Sequence, residues 1–260
     1  MRTKLYKIIV LILISSLLNK ITLSCKEKNK ELKMIRGEQI GISPELQEDQ
    51  EILAAVQPYH DSLQKQINEP LCYTARTLSR EESPLESSLG NFYADTCFEV
   101  ADSIFFSRTG NHIDFALFNY GGIRTAIPKG DITVDNMFKL MPFENKLVVV
   151  RLSGEKTAEL LAYLANRKQA HPVSGIRLVL NGDRFSTVEI GNAPFNRDKN
   201  YYVLTHDYLQ HGGDQMAFFK EPLDLFKTNY KVRDALIDRL RRMDTLRTSL
   251  DKRFTYIDHQ

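Results

Sequence analysis

Two short segments that combine paired glycines with polar side chains follow predicted strands. NYGGIR at residues 119 to 124 comes directly after an apolar run at 113 to 118, and THDYLQHGGD at 205 to 214 follows a run at 200 to 205. Adjacent glycines let a ligand approach the backbone, and loops at strand ends commonly carry sites. Asn offers a donor and an acceptor, and Arg presents a fixed fork to phosphate or carboxylate. Taken alone, the first segment is explained more simply as a glycine-rich turn with a surface Arg.

A third candidate segment is Met141-Pro142-Phe143, which stands between a predicted short helix and a predicted strand at 146 to 152. Pro142 fixes a turn that could present Phe143 outward. Loops that follow different strands can meet at one edge of a sheet, so the segments could contribute to a common site.

The residue types and their spacing give little support for a metal site or for a nucleophilic catalytic residue. His206, Asp207 and His211 could be metal ligands, but histidines five positions apart do not share a helix face, which favours local hydrogen bonding around a turn. Residues 110 to 114 are favoured as a polar loop that enters a strand. The chain has no Gly-x-Ser-x-Gly elbow. We therefore predict no catalytic residue, metal ligand or cofactor in this chain.

The supporting elements are predicted from apolar periodicity and capping residues. A helix begins at Ser43-Pro44-Glu45 and carries an apolar stripe to Ile67, with a bend at Pro58. Further helices are predicted at 88–100, 153–167 and 231–242, and strands at 71–78, 113–118, 146–152, 176–180, 186–190 and 200–205. With no repeat and no Pro/Gly-rich linker, residues 43 to 260 are predicted to form one α/β-type domain.

The net charge indicates which partners to expect, and the cysteines indicate whether a disulfide can form. Four of the 35 basic residues and none of the 33 acidic ones lie in the first 24 positions, so the remainder carries a net charge of about −2. Without a basic block, a nucleic-acid partner is not expected. Cys72 and Cys97 could pair in an exported chain or remain separate buried thiols, and both alternatives stay open.

The N-terminus has the pattern of an export signal over residues 1 to 24. Basic residues precede an apolar run, Ile8 to Leu18, that is too short to span a bilayer stably. Residues 22 to 25 (TLSC) resemble a bacterial lipobox with Thr in place of Leu, which predicts lipidation of Cys25; the alternative is an incidental Cys in an ordinary signal or retained anchor. Residues 25 to 42 would be a charged tether. We expect an exported, membrane-anchored lipoprotein, periplasmic or on the cell surface.

Together the motifs and their order resemble the C-terminal domain of the 5′-nucleotidase and UDP-sugar hydrolase family. The resemblance extends from about Leu71 to Phe219. It rests on five ordered blocks: SLGNFYAD at 88–95, NYGGIR at 119–124, GDIT at 130–133, MPFENKLVVVRLSG at 141–154 and LTHDYLQHGGD at 204–214. It implies an α+β fold, a single four-layer α/β/β/α domain with mixed sheets.

The resemblance also implies roles for individual residues. In that family a purine or pyrimidine is clamped between two aromatic rings, which match Phe143 and Tyr208 here, and stacking of roughly 1–3 kcal/mol per base discriminates little between bases. The matching base, phosphate and ribose contacts, together with the loop glycines, are Asn119, Arg124, Asp214, Gly121, Gly122, Gly212 and Gly213. A further phosphate-binding Arg of the family has no match six residues before Asn91, and Arg80 is the alternative.

Full-length members of the family hydrolyse phosphate esters with a separate N-terminal domain that holds two metals. Its motifs are not met here: Gly110-Asn111-His112 is followed by Ile113 rather than an acidic residue. The resemblance therefore implies the nucleotide- or nucleoside-binding part of a 5′-nucleotidase system, inactive alone, with a metallophosphatase partner that supplies the divalent metals. The alternatives are a stand-alone lipoprotein that captures nucleotides or nucleosides, and a degenerate scaffold.

Overall fold

A computed structural model describes residues 2–21 and 32–257 of the chain. The chain divides into two compact units, residues 1–53 and 54–260. In the first unit, helix α1 covers Arg2–Ile21, and residues 32 to 49 are exposed and form no helix or strand. None of the described helices has the length and apolar character needed to cross a membrane. Cys25 lies outside the described residues, so its lipidation remains a prediction.

Helix α2, Gln50–Ile67, begins later than predicted. The carboxylate of Asp49 accepts hydrogen bonds from the backbone N–H groups of Glu51 and Ile52, and it caps the helix. Ser43, the predicted cap, only closes a turn with Leu46. No residue of α2 is buried, so the predicted apolar stripe does not form part of the core.

The remaining elements lie in the second unit. The helices are α3 Ser88–Thr109, α4 Val134–Leu140, α5 Gly154–Arg167, α6 Asp207–Gln210 and α7 Val232–Leu240. The strands are β1 Pro70–Thr74, β2 Phe115–Leu117, β3 Gly130–Thr133, β4 Lys146–Leu152, β5 Val173–Ser174, β6 Ile176–Asn181, β7 Arg184–Ile190, β8 Ala193–Pro194, β9 Tyr201–His206, β10 Asp224–Lys231 and β11 Phe254–Tyr256.

The strands form a five-stranded, a four-stranded and a two-stranded sheet. The five-stranded sheet has the order β10-β4-β9-β2-β5, in which β2 and β9 are parallel and the other pairs are antiparallel. The four-stranded sheet, β11-β6-β7-β8, has one parallel pair, and β1 pairs antiparallel with β3. The predicted α+β fold with mixed sheets is confirmed.

Two apolar clusters lie on opposite faces of the five-stranded sheet. The alternation along β4 directs Leu147 and Val149 to the cluster that α3, α4 and α7 share. Val150 and Leu152 enter the other cluster, together with α5 and the four-stranded sheet. Because both faces are covered, β4 and β9 are nearly continuous apolar runs, which explains why both were predictable.

Strand β10 was not predicted from the sequence. Its pairing with β4 is interrupted between Lys227 and Lys231, and Asn229 has a left-handed φ of 61°. This irregularity breaks the period-two pattern that identifies a strand. The open question about the thiols is also answered, since Cys72 and Cys97 are both buried and unpaired.

Candidate functional site

The three predicted segments meet at one edge of the five-stranded sheet. Because β2 and β9 are parallel, the loops that follow them leave from the same edge. Strand β4 runs antiparallel to β9, with Leu147 opposite His206, which brings the turn before β4 to that edge as well. Topology therefore brings together residues that lie almost one hundred positions apart in the sequence.

The edge carries an open cavity of about 250 Å³. This is slightly smaller than the roughly 300–1,000 Å³ typical of drug-sized ligands, which suits a single ring system with its attached groups. Its lining consists of Asn119, Gly121, Gly122, Arg124, Phe143, Asn145, Tyr208 and Asp214. Seven of the nine predicted binding residues are in this set. Gly212 and Gly213 do not line the cavity, and Asn145 was not predicted.

The rings of Phe143 and Tyr208 both line the cavity, and together they are called the aromatic wall. The two residues are 42% and 47% exposed, so both rings offer surface to a ligand. The turn that presents Phe143 is held by the buried Arg233, whose guanidinium donates to the carbonyl oxygens of Met141 (3.1 Å) and Phe143 (3.3 Å). Arg233 also stacks over the Phe138 ring at 4.0 Å. An aromatic surface is thus held in place through its backbone.

The second ring depends on a glycine for its position. A Cβ at Gly213 would lie 2.3 Å from a ring carbon of Tyr208, so only glycine lets the ring pack across this backbone. The Tyr208 hydroxyl lies 3.2 Å from Asp214 Oδ1 and donates to it. Gly213 therefore serves the site without lining the cavity.

Asn119 and Asp214 also line the cavity, and with His206, which hydrogen-bonds to Asn119 but does not line the cavity, they form the polar wall. Asn119 Nδ2 donates to Asp214 Oδ2 at 2.5 Å, and Asn119 Oδ1 lies 3.2 Å from His206 Nε2. Asn119 and His206 are buried, at 6% and 0% exposure. Burial of several polar groups is tolerated because they hydrogen-bond to one another.

The turn that carries Asp214 has an unusual backbone. Gly212 has a φ of 90°, and Asp214 and Gln215 have left-handed values of 49° and 64°. Two residues at the end of α5 support this turn: the Tyr163 hydroxyl donates to the Asp214 carbonyl at 3.0 Å, and Arg167 donates to the Gln215 side chain at 2.8 Å. The helix thereby fixes the direction of the Asp214 carboxylate.

The loop at 119 to 124 is braced by Arg80. Its guanidinium donates to the carbonyl oxygens of Tyr120 (3.2 Å) and Ile123 (2.6 Å) and lies 4.3 Å from the centre of the Tyr120 ring. Arg80 is not among the residues that line the cavity. The structure thus shows Arg80 holding the loop, and the direct phosphate contact considered from the sequence stays a prediction.

Two buried histidines flank the same loop. His171 Nδ1 accepts the backbone N–H of Tyr120 at 3.1 Å, and His171 Nε2 has no hydrogen-bond partner among the described residues. Burial lowers the pKa of His171 and the pKa of His206 to about 4. Both side chains are therefore neutral at physiological pH.

Arg124 supplies positive charge at the mouth of the cavity. The side chain is exposed, its Nη1 donates to the Gly121 carbonyl at 3.3 Å, and its guanidinium lies 6.0 Å from the centre of the Phe143 ring. A guanidinium beside an aromatic surface suits an anionic group attached to a stacked ring.

The residues considered as metal ligands are engaged elsewhere. His112 Nδ1 lies 2.8 Å from Asp102, and the His112 ring stacks on Phe106. Asp207 accepts the backbone N–H of Lys146, while His211 lies against the Asp207 carbonyl. Over residues 2–21 and 32–257, no group of three or more His, Cys, Asp or Glu side chains could hold a metal ion. These side chains therefore do not form a binding site for the divalent metals of the resembled family.

Three contributors to the site were missed from the sequence: Asn145, Arg233 and the polar role of His206. Asn145 lies two positions after Phe143 and immediately before β4, and that spacing was the available signal. Arg233 lies in a helical pattern that predicts only an amphipathic helix, and its contacts to Met141 and Phe143 span about ninety residues. Such contacts leave no local signature.

The fold and cavity define an α+β domain with an aromatic and polar cleft at a sheet edge. The family described as "5′-nucleotidase, C-terminal domain" matches residues 66–221 of the chain. The chain belongs to this family, and the resemblance stated from the motifs is confirmed.

Similar proteins extend beyond this domain. The chain is 24% identical to the apyrase of Tabanus yao, over 81% of this chain and 42% of the relative. It is 31% identical to the trifunctional nucleotide phosphoesterase protein YfkN of Bacillus subtilis, over 74% of this chain and 14% of the relative. The solved 5′-nucleotidase precursor from Thermus thermophilus superposes with a TM-score of 0.67 at 25% identity, covering 80% of this chain and 43% of that one. The chain thus spans less than half the length of each.

Proposed function

We propose that this chain binds the nucleoside portion of a nucleotide, and that a metallophosphatase partner hydrolyses the phosphate ester. The observation that carries the proposal is the convergence of the aromatic wall, the polar wall and Arg124 on one cavity. A base would stack on Phe143 and Tyr208, ribose hydroxyls would donate to Asp214, and phosphate would face Arg124.

The relatives support the partner in this proposal. Two of the three are named as a nucleotide phosphoesterase and a 5′-nucleotidase, and each of the three is more than twice as long as the part that this chain matches. The described residues offer no metal cluster. The divalent metals would then belong to the partner, where they would polarise the phosphoryl group and activate water. The chain itself would hold and orient the substrate as an exported, lipid-anchored protein.

Binding is tested by calorimetric titration of adenosine, AMP and UDP-glucose. Stacking and one or two charge-assisted hydrogen bonds, less the ordering costs, give dissociation constants of roughly micromolar to millimolar. Phe143→Ala and Tyr208→Ala should each weaken adenosine binding about tenfold or more. Phe106→Ala is the matched control, because this exposed ring packs on His112 away from the cavity. If the wild-type protein binds none of the three ligands, the proposal fails and a degenerate scaffold is favoured.

The partner is tested by phosphate release from AMP. Adding the purified chain to a candidate metallophosphatase should raise its activity, and the gain should be lost with Asp214→Asn. Unchanged release at every ratio, combined with normal ligand binding, would favour a stand-alone capturing protein.

A further inference from the structure

The polar wall is a connected hydrogen-bonded series that runs from the cleft into the core. Asp214 accepts from Asn119, Asn119 Oδ1 lies 3.2 Å from His206 Nε2, and His206 Nδ1 lies 3.4 Å from the backbone nitrogen of Leu209. His206 does not line the cavity. It hydrogen-bonds to the lining residue Asn119, and its ring centre lies 6.0 Å from that of the lining residue Tyr208.

The far end of this series fixes the position of the His206 proton. A backbone N–H can only donate, so His206 Nδ1 must accept from Leu209 and carry no proton. In a neutral imidazole the proton is then on Nε2. His206 Nε2 therefore donates, and the atom of Asn119 that faces it must be the carbonyl oxygen.

The near end gives the same orientation independently. At neutral pH a carboxylate only accepts, so Asn119 must present its NH₂ group to Asp214. The Asn119 oxygen also packs against Gly122, where a Cβ would lie 2.8 Å from it. Reversing the amide would set two acceptors face to face at Asp214 and two donors face to face at His206.

We infer that His206 is a positioning residue that, together with Asp214, fixes which hydrogen-bonding groups the cleft offers to a ligand. The cleft presents the second N–H of Asn119 and the oxygens of Asp214, whereas the Asn119 carbonyl is held inward. This inference rests on the proposed function and gives its ligand a chemistry. The base must place an acceptor, a ring nitrogen or a carbonyl oxygen, at the edge that meets Asn119.

The first test needs no ligand and no substitution. In the wild-type protein labelled with ¹⁵N-histidine, His206 Nδ1 should show the shift of an unprotonated nitrogen, and Nε2 should carry a bonded proton. A proton on Nδ1 would overturn the inference, because Nε2 of the neutral ring could then not donate to the Asn119 carbonyl.

The second test uses adenosine and its 1-deaza, 3-deaza and 7-deaza analogues, each of which replaces one ring acceptor by C–H. One analogue should bind the wild-type protein about tenfold more weakly than adenosine, as expected for an unmatched buried donor. In His206→Phe, which keeps a ring but removes the donor, this difference should shrink to about threefold or less. His206→Gln, which keeps an N–H, should restore part of it.

The outcomes separate the inference from the proposed function. If His206→Phe weakens all four ligands equally and leaves the discrimination intact, His206 has only a structural role and the inference is wrong. Equal binding of all four by the wild-type protein would refute it as well. If the wild-type protein binds none of them, the proposed function fails together with the ligand chemistry inferred here, and the histidine spectrum reports the tautomer regardless.

Discussion

The two walls of the cavity are built in different ways. The rings of Phe143 and Tyr208 are nearly half exposed. In the polar wall, Asn119 and His206 are buried and hydrogen-bond within the wall. An exposed ring can be removed at little cost to folding, whereas loss of one buried polar partner leaves another unsatisfied. Substitutions in the aromatic wall should therefore affect binding alone, and those in the polar wall should affect binding and stability together.

The largest expected difference between the walls is in their response to pH. His206 in the polar wall and His171 beside it have pKa values of about 4, against about 6.5 in an unfolded chain. Between these values the unfolded state binds more protons, so the stability that both contribute is complete above about pH 6.5 and falls as the pH drops towards 4. From pH 7 to pH 5 the free energy of unfolding should fall by about 2 kcal/mol per histidine, measured by urea denaturation.

Substitutions show which histidine causes this fall in the unfolding free energy. His206→Gln should remove about half of the pH dependence. The matched control is His60→Gln, because His60 is exposed on α2. If His206→Gln and His60→Gln show the same pH dependence of the unfolding free energy, His206 is not held neutral in the folded protein. The two walls would then not differ in their response to pH through His206.

A smaller effect is expected from one added methyl group against the polar wall. The Cβ of Gly122→Ala would lie 2.8 Å from Asn119 Oδ1, so Asn119 must move, at a cost of about 1–3 kcal/mol in unfolding free energy. Gly121→Ala is the matched control, because its Cβ would make ordinary 3.6 Å contacts to Asn119 and Asp214. Equal thermal stability of the two variants would show that Asn119 is not held rigidly.

A substitution of Arg80 tests whether the loop that carries Asn119 depends on the hydrogen bonds from this side chain. Arg80→Ala removes two hydrogen bonds to loop carbonyls and should lower the unfolding free energy by on the order of 1–2 kcal/mol. Because Arg80 does not line the cavity, the ratio of AMP to adenosine affinity should be unchanged, whereas Arg124→Gln should reduce it. A fall of that ratio in Arg80→Ala would instead support the phosphate contact considered from the sequence.

Arg80 also shows how far the sequence could predict this site. The segments around Asn119, Phe143 and Asp214 follow strands that their composition predicts, and their order identified the family. The supporting residues could not be found in this way. Arg80 and His206 each contact the loop at 119–124 across about forty to ninety residues, and nothing in their own neighbourhoods marks those contacts.

The same limit explains the errors in the fold. Strands β4 and β9 are buried on both faces and were predicted within a residue. The start of α2 was misplaced because Ser43 and Asp49 are both good caps, and local preference alone does not choose between them. The sequence predicts an element well where burial on both faces determines its residue types. It does not predict a boundary where two residues are equally good caps.

The smallest expected effect concerns Tyr208, which belongs to the aromatic wall through its ring and reaches the polar wall through its hydroxyl. Tyr208→Phe keeps the stacking surface and removes two hydrogen bonds to Asp214: the one that the hydroxyl donates to Oδ1 at 3.2 Å and the one that it accepts from the backbone N–H at 3.3 Å. Since the residue is 47% exposed, water can replace both bonds, and adenosine affinity should change by less than about threefold. Calorimetric titration of adenosine into Tyr208→Phe and Tyr208→Ala separates the contribution of the hydroxyl from that of the ring. If Phe and Ala weaken binding equally, the hydroxyl and not the ring carries the contact, and the aromatic wall contributes through Phe143 alone.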